Sequence, residues 1–391
     1  MKGHIHKRVR TLKDGKSNTS WYIVLELPRK QDNKRNQKWY GSFNTRKEAE
    51  IALGNLLGEF SSNRFLQPSK LKISDFINNN WLPSMKSQLK PSTFDSYKRN
   101  LKLHVLPSIG QIYLKDLNPQ MLNKLYADLM DSGNKNRQGG LSTKTIRYIH
   151  TTIHKFLEDA IDLDLINRNP AERAKPPKLK RSPEIKSWDS KELAIFLDSV
   201  RDHKYYVAFH LAALTGMRRG EVLGLRWSDI DFNLSRISIR QSLISVAYTL
   251  TFSTPKSHQA RNIDLDENTV QLLIKYKQQQ SKDISQNGQN SEYSGLVCKN
   301  EFGSPIHPDS FSQAFEKCLQ KTSLPKIRLH DLRHTHASIA LKAGVPIKVI
   351  TERLGHENPA FTLKQYVHVI PGMQKEAASL VASLITDSIG T

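Results

Sequence analysis

Cysteine is nearly absent: the 391-residue chain has two, Cys298 and Cys318. Neither stands near a second Cys/His pair at metal-ligand spacing, so a disulfide framework and a zinc module are both excluded and the two read as reduced thiols. No run approaches the ~20 apolar residues needed to cross a bilayer. The opening segment, MKGHIHKRVR, is basic, but no apolar stretch follows it; a secretory leader is not indicated, and a cytoplasmic protein without membrane contact is expected. A phosphate-cradling GxxxxGK(S/T) loop and an acidic metal-binding cluster are likewise missing. Acidic residues are the scarce charge: 37 Asp and Glu stand against 59 Lys and Arg, leaving a formal charge of +22. Such an excess favours a polyanionic partner, because each phosphate contact releases condensed counterions. Nucleic acid is the first candidate, although a ribosomal or membrane-surface protein could carry the same charge.

The length and ordinary apolar content are enough to bury real cores and predict two or three domains. Residues 1–65 hold 14 Lys and Arg against 6 Asp and Glu. Within them Trp21 to Leu27 and Lys38 to Phe43 read as strands around a polar turn, and Thr45 with Glu48 forms a capping-box pattern that opens a helix to Phe60. Trp21, Trp39 and Tyr40 are assigned to the core of this small domain rather than to base contacts. From Leu71 to Ile166 the periodicity is helical. Asn118-Pro119 starts one helix, Ser142 starts another, and Ile146, Ile149, Ile153, Phe156 and Ala160 form the second helix's apolar stripe. Lys144, Arg147 and Lys155 lie off that stripe, where they either meet phosphates or face solvent. The adjacent prolines and cations around 173–181 break the pattern and mark a linker, placed at 176–188. Beyond it Asp189 with Glu192 caps a helix, further helices flank short strands near Ile237 to Ile239 and Asn262 to Leu265, and Ser281 to Ser294 reads as an exposed polar loop.

Three strings and a tyrosine could carry chemistry. In Thr215-Gly216-Met217-Arg218-Arg219-Gly220-Glu221, two glycines permit a tight turn and Arg218 either aims its guanidinium at a phosphate or pairs with Glu221. In His330-Asp331-Leu332-Arg333-His334-Thr335-His336, a spacing of three puts His330 and Arg333 on one face near a helix start. Arg353-Leu354-Gly355-His356 ends a helix at a glycine and presents a histidine, and ten residues later stands Tyr366. Each string alone is a weak signal.

Their order, Arg218, His330 with Arg333, His356, then Tyr366, resembles the Arg, His-x-x-Arg, His, Tyr signature of the tyrosine recombinases, the phage-type integrases. Lys256, in Thr254-Pro255-Lys256-Ser257 ahead of Arg261 to Leu265, is similar to the hairpin lysine of that family. The resemblance implies a multidomain α+β chain. It would comprise a small basic sheet-plus-helix arm-type DNA-binding domain at 1–65, an all-α core-binding domain at 66–175, the 176–188 linker, and a mainly α catalytic domain with a small antiparallel sheet and a tail helix at 189–391. It further implies DNA cleavage and rejoining through a 3′-phosphotyrosine and a Holliday junction, to integrate and excise a prophage or conjugative element. Arg218 and Arg333 would clamp the phosphate, Lys256 would protonate the leaving 5′ oxygen, His330 would assist proton movement at Tyr366, and His356 would hydrogen-bond the phosphate. Neither metal nor ATP is implied. The expected partners are double-stranded core and arm attachment sites, with Arg8, Arg10, Lys144, Arg147 and Lys155 as candidate DNA contacts, a homotetramer on DNA linked by tails carrying Ala377, Leu380, Val381 and Leu384, and DNA-bending or excision factors in a bacterial cytoplasm.

Overall fold

The chain starts as a three-stranded antiparallel sheet, β1 (Lys2–Thr11), β2 (Ser17–Leu27) and β3 (Asn36–Phe43), in that spatial order. The computed structural model describes residues 2–11, 17–27, 36–61, 70–134, 139–179, 186–254, 261–287 and 292–356, with isolated positions thereafter, Tyr366 among them. Contacts divide the chain into two units, Met1–Lys180 and Arg181–Thr391.

In the first unit, helix α1 (Arg46–Ser61) follows β3, and the Thr45 hydroxyl accepts from the Glu48 amide at 3.2 Å as the capping pattern predicts. Ile23, Leu25 and Ala49 are buried, and a Cβ at Gly3 would strike Leu25 and Leu53, so that face of the sheet carries α1. Strand register sets Val24 against both His4 and Trp39 and pairs His6 with Tyr22, which puts these residues on the opposite face. Trp39 is therefore not core as expected: it is 52% exposed, with the His6 ring edge-on at 4.9 Å. Trp21 and Tyr40 are half-buried, and the Lys7 ammonium lies over Trp21 at 5.7 Å.

The remainder of this unit is helical: runs at 73–88 and 91–109, each interrupted by a π turn, then α2 (Pro119–Ser132) and α3 (Thr143–Asp162). Asn118 caps α2 by accepting from the Met121 amide at 3.1 Å, and Ser142 caps α3 by accepting from Thr145 at 3.2 Å. The stripe Ile146, Ile149, Ile153, Phe156 and Ala160 is wholly buried, each large side chain contributing about 1.5–3 kcal/mol. Trp81 joins this core and donates its indole N–H to Asp159 at 2.6 Å.

In the second unit, α4 (Ser190–Ser199) opens on the predicted capping box, with Asp189 and Glu192 each accepting from the other's backbone at 2.8 Å. Trp188 is already part of this unit's core, its indole N–H bonded to the Pro325 carbonyl at 2.9 Å. Helix α5 (Tyr206–Thr215) is apolar nearly all round and accordingly central, with Phe209 stacked on Phe311 at 5.0 Å. After the short α6 (Arg219–Leu223) come β4 (Ile230–Asp231), β5 (Arg236–Ile239), the hairpin β6 (Ser242–Val246) and β7 (Thr249–Ser253), and β8 (Arg261–Asp264). Strands β4, β5 and β8 form one antiparallel sheet and β6 with β7 a second, so β8 returns to β5, not to the strand that precedes it.

Helix α7 (Glu267–Asn287) corrects the expected loop at 281–294, since the helix runs through its first half. Between 281 and 287 Ile284 is the single apolar residue, too few to show a period, while Gln, Lys and Ser are compatible with helix. Helices α8 (Pro308–Leu319), α9 (Asp331–Lys342) and α10 (Ile347–Leu354) complete the described elements. The fold is thus multidomain α+β, mainly helical with small antiparallel sheets.

Candidate active site

The last carbonyls of a helix have no intrahelical donor and carry the negative end of its dipole. At the end of α10 three arginines supply the missing donors. Arg261 Nε donates to the Arg353 carbonyl at 2.8 Å, Arg333 Nη2 to Leu354 at 2.5 Å and Arg218 Nη2 to Gly355 at 2.9 Å. Gly355 makes this possible. Its φ of +63° ends the helix in the left-handed region, and a Cβ there would lie 2.8 Å from Arg261 Cδ. Arg333 donates its other amine to the Gly216 carbonyl at 2.7 Å, at the left-handed end of α5, and is only 3% exposed. Four segments far apart in sequence therefore meet at one helix terminus.

Like charges so close need an anion, and Glu221 provides it. Its Oε1 accepts from Arg218 Nη1 and Arg261 Nη1, both at 2.9 Å, while Oε2 accepts from the Arg218 amide at 2.8 Å and Arg261 Nη2 at 2.7 Å. Burial alone would push this carboxyl up, but Arg261 and then Arg218 outweigh it and hold the group at about 2. The alternatives weighed for Arg218 are thus compatible: it pairs with Glu221 and keeps 26% of its side chain exposed. Arg333 is pushed down to about 9 by burial, then by Arg218 and Arg261, and is still charged at neutral pH. Three guanidiniums against one carboxylate leave a net positive site, suited to a phosphodiester.

Imidazoles and a phenol lie beside these cations. His330 stands at the residue before α9 and His334 follows one turn later, with ring centroids 5.3 Å apart. Tyr366 is 1% exposed, packed among Ala337, Leu341, Ile350 and Leu354, and its hydroxyl is 2.7 Å from His334 Nδ1. Burial raises the phenol to about 12. Burial also lowers His334 to about 4, with His330 adding to the effect, and lowers His356 to about 4 with help from Arg333 and Arg218. His330 is lowered by burial and by Arg333. At neutral pH these rings are neutral, and in the Nε2–H tautomer of His334 the Tyr366 hydroxyl is the donor and Nδ1 the acceptor of their hydrogen bond.

The structure thus brings Arg218, His330, Arg333, His356 and Tyr366 into one unit around α9 and the end of α10. The group on the tyrosine hydroxyl is His334, and His330, expected to assist proton movement at the tyrosine, has its ring centroid 5.3 Å from that of His334. Lys256 lies outside the described residues, between β7 and β8. In the other unit Arg8 and Lys144 are exposed, Arg10 sits on β1 opposite Asn18, and Arg147 donates to the Pro177 carbonyl at 3.4 Å. Lys155 is engaged with Asp159 at 2.8 Å on its own helix. Of the tail stripe, Val381 is described and exposed, while Ala377, Leu380 and Leu384 lie outside the described residues.

Sequence reasoning missed two residues here. In the sequence Arg261 shows only as part of a returning strand, and its reach to α10 is a tertiary fact. His334 was within the quoted string, and its i+4 spacing from His330 could have placed it on the same helix face. As for a metal, Glu221 already takes four donors. His154, Glu158 and Glu172 form a group of ligating type in the first unit, but there Asn169 donates to Glu158 at 2.6 Å.

Comparison with known proteins agrees with this arrangement. The phage integrase family model matches residues 188–372, a phage integrase N-terminal SAM-like domain matches 73–130, and an arm DNA-binding domain matches 11–60. A XerC-like tyrosine recombinase of Caldanaerobacter subterraneus is 25% identical over 97% of this chain and 99% of its own. The ICEBs1 integrase of Bacillus subtilis is 27% identical over 87% of this chain and 91% of its own. Among solved structures, the Tn1549 transposon integrase in complex with transposon right end DNA has a TM-score of 0.63 at 19% identity, covering 80% of this chain and 100% of that one. A lambda integrase dimer bound to a core site has a TM-score of 0.55 at 15% identity, over 91% of this chain and 93% of that one; both likenesses concern the fold. With three successive family models matched along its length, the chain belongs to the phage integrase family, the tyrosine recombinases that cleave and rejoin DNA at specific sites.

Proposed function

We propose that this protein integrates and excises a mobile element, with Tyr366 as the nucleophile that becomes joined to a DNA 3′ phosphate. The convergence of Arg218, Arg261 and Arg333 on the 353–355 carbonyls, in the unit that holds Tyr366, carries this reading. Attack on a phosphodiester builds negative charge on the nonbridging oxygens, and preorganised guanidiniums stabilise that charge without reorganising. Arg218, the more exposed of the clamp pair, and Arg333 bind these oxygens, and His356 adds a hydrogen bond. Lys256 gives a proton to the departing 5′ oxygen. The phosphotyrosine conserves the bond, so neither metal nor ATP is needed for rejoining.

The protein divides into an arm-type DNA-binding domain at 1–65, a core-binding domain at 66–175, a linker at 176–188 and a catalytic domain at 189–391. The partners are double-stranded core and arm sites, and four protomers assemble on the synapsed junction, coupled through the tail helix. Bending and excision factors act with it in a bacterial cytoplasm. The exposed sheet face carrying His6, Arg8 and Trp39 is suited to arm-site DNA, offering positive charge and an aromatic surface.

A nicked suicide duplex carrying the junction of the circularised element tests the reading. With EDTA present, the wild-type chain should form a covalent adduct on a denaturing gel and Tyr366→Phe should not. DNA binding without an adduct in the wild type would leave a DNA-binding protein and remove the recombinase.

A further inference from the structure

Tyrosine attack on phosphorus releases a phenol proton as well as needing one for the leaving oxygen. Lys256 serves only the second transfer. The group touching the Tyr366 hydroxyl is His334, whose Nδ1 is 2.7 Å away, in a pocket closed by Ala337, Leu341, Ile350 and Leu354. We propose that His334 Nδ1 takes the phenol proton as Tyr366 attacks and returns it when the strand is rejoined. The inference rests on Tyr366 being the nucleophile.

The step balances. The Tyr366 oxygen bonds to phosphorus, its proton passes to His334, the bond from phosphorus to the 5′ oxygen breaks, and that oxygen takes a proton from Lys256. In rejoining, the 5′ hydroxyl attacks, Lys256 recovers its proton, and His334 gives its own back to the departing tyrosine. No oxidant, metal or external acid enters. The imidazole is suited to this because its Nδ1 lies within hydrogen-bond distance of the phenol oxygen, and in the Nε2–H tautomer that nitrogen is free to accept the proton.

The surroundings explain why the proton moves only during attack. Burial lowers His334 and raises the phenol, so both are neutral before DNA arrives. As the tyrosine oxygen bonds to phosphorus it loses basicity, and the proton then passes to the ring. Around His334 lie His330, Arg333 and Arg328, which disfavour the imidazolium, and the Asp331 carboxylate, which favours it. His356 is a further neighbouring imidazole. Asp331 is fixed by its own bonds to Arg328, at 2.8 Å to the backbone amide and 2.8 Å and 3.0 Å to the guanidinium. Arg333 and an arriving phosphate offset one another, which leaves Asp331 to stabilise the protonated ring.

The test uses the full chain, the nicked duplex above, and a matching duplex with sulfur in place of the bridging 5′ oxygen. A thiolate departs without an acid, so that substrate relieves a leaving-group defect and no other. His334→Gln and His334→Ala are expected to bind the duplex as the wild type does and to form adduct about 10²-fold more slowly. The bridging sulfur should not restore them, whereas it should restore Lys256→Ala, and added imidazole should speed His334→Ala. Should the alanine variant fail to fold, the glutamine variant, which keeps a hydrogen-bonding side chain, decides the matter. Wild-type rates in the His334 variants, rescue by sulfur, or faster cleavage, the mark of a bond that only restrains the tyrosine, would each overturn the inference. Absence of an adduct from the wild type itself would instead remove the reading on which it rests.

Discussion

Replacing Glu221 by Gln tests the idea that one carboxylate holds the arginine cluster together. The side chain is 1% exposed and its two oxygens accept four hydrogen bonds, two from Arg218 and two from Arg261. An amide keeps one acceptor oxygen, and its nitrogen faces two donors that it cannot satisfy. The anion that separates the guanidiniums is lost as well. Removing one partner of a buried ion pair costs about 3–5 kcal/mol. The pKa shift gives a similar figure: holding a carboxyl at about 2 in place of 4.5 corresponds to roughly 3 kcal/mol in favour of its charged form. Urea unfolding of Glu221→Gln at pH 7, followed by tryptophan fluorescence, should therefore show a loss of about 3 kcal/mol, with the melting temperature lower by roughly 6–12 °C. Covalent adduct formation should fall with it, since Arg218 and Arg261 lose their shared anchor. A loss below about 1 kcal/mol with cleavage intact would refute the reasoning, because it would mean the cluster is organised without its anion.

Further outcomes follow from the same geometry. His336 is pushed down to about 4, mainly by burial, so the unfolded chain binds more protons than the folded one between about pH 6.5 and 4. Stability should therefore be full above pH 6.5 and decline as pH falls through that window, by roughly 3 kcal/mol for this ring, with His334 and His356 acting in the same direction. Unfolding midpoints that do not change from pH 7.5 to 4.5 would contradict it. Gly355→Ala should cost about 1–2 kcal/mol for the left-handed backbone and, by displacing Arg261, slow single-turnover cleavage; a thermal melt and the adduct gel read the two effects. Trp39→Ala, at an exposed position, should change stability by less than about 0.5 kcal/mol yet weaken arm-site binding measured by fluorescence anisotropy.

How much of this was legible in the sequence depended on the range of each interaction. The caps at Asn118, Ser142 and Asp189 act within one helical turn, and the buried stripe of α3 repeats along a single element, so both were readable from spacing. The polar second half of α7 is not legible because Ile284 is its single apolar residue, and one residue shows no period. β1 was not foreseen, since His, Lys and Arg dilute its alternation. At the site, the Arg218, His330, Arg333, His356 and Tyr366 set could be found because each has a local string. Arg261 could not, since it reaches Glu221 forty positions away and Arg353 ninety-two away. The burial of Tyr366 against His334 likewise depends on packing of α9 with α10, which no local pattern encodes.

The account stands or falls on which atom becomes joined to DNA. Trypsin should release Tyr366 within the peptide QYVHVIPGMQK, which has no other hydroxyl-bearing side chain. After trapping on the suicide duplex and nuclease digestion, mass spectrometry should find that peptide carrying a nucleotide through its 3′ phosphate. The adduct mass on any other peptide, or a 5′ linkage on this one, would contradict the account.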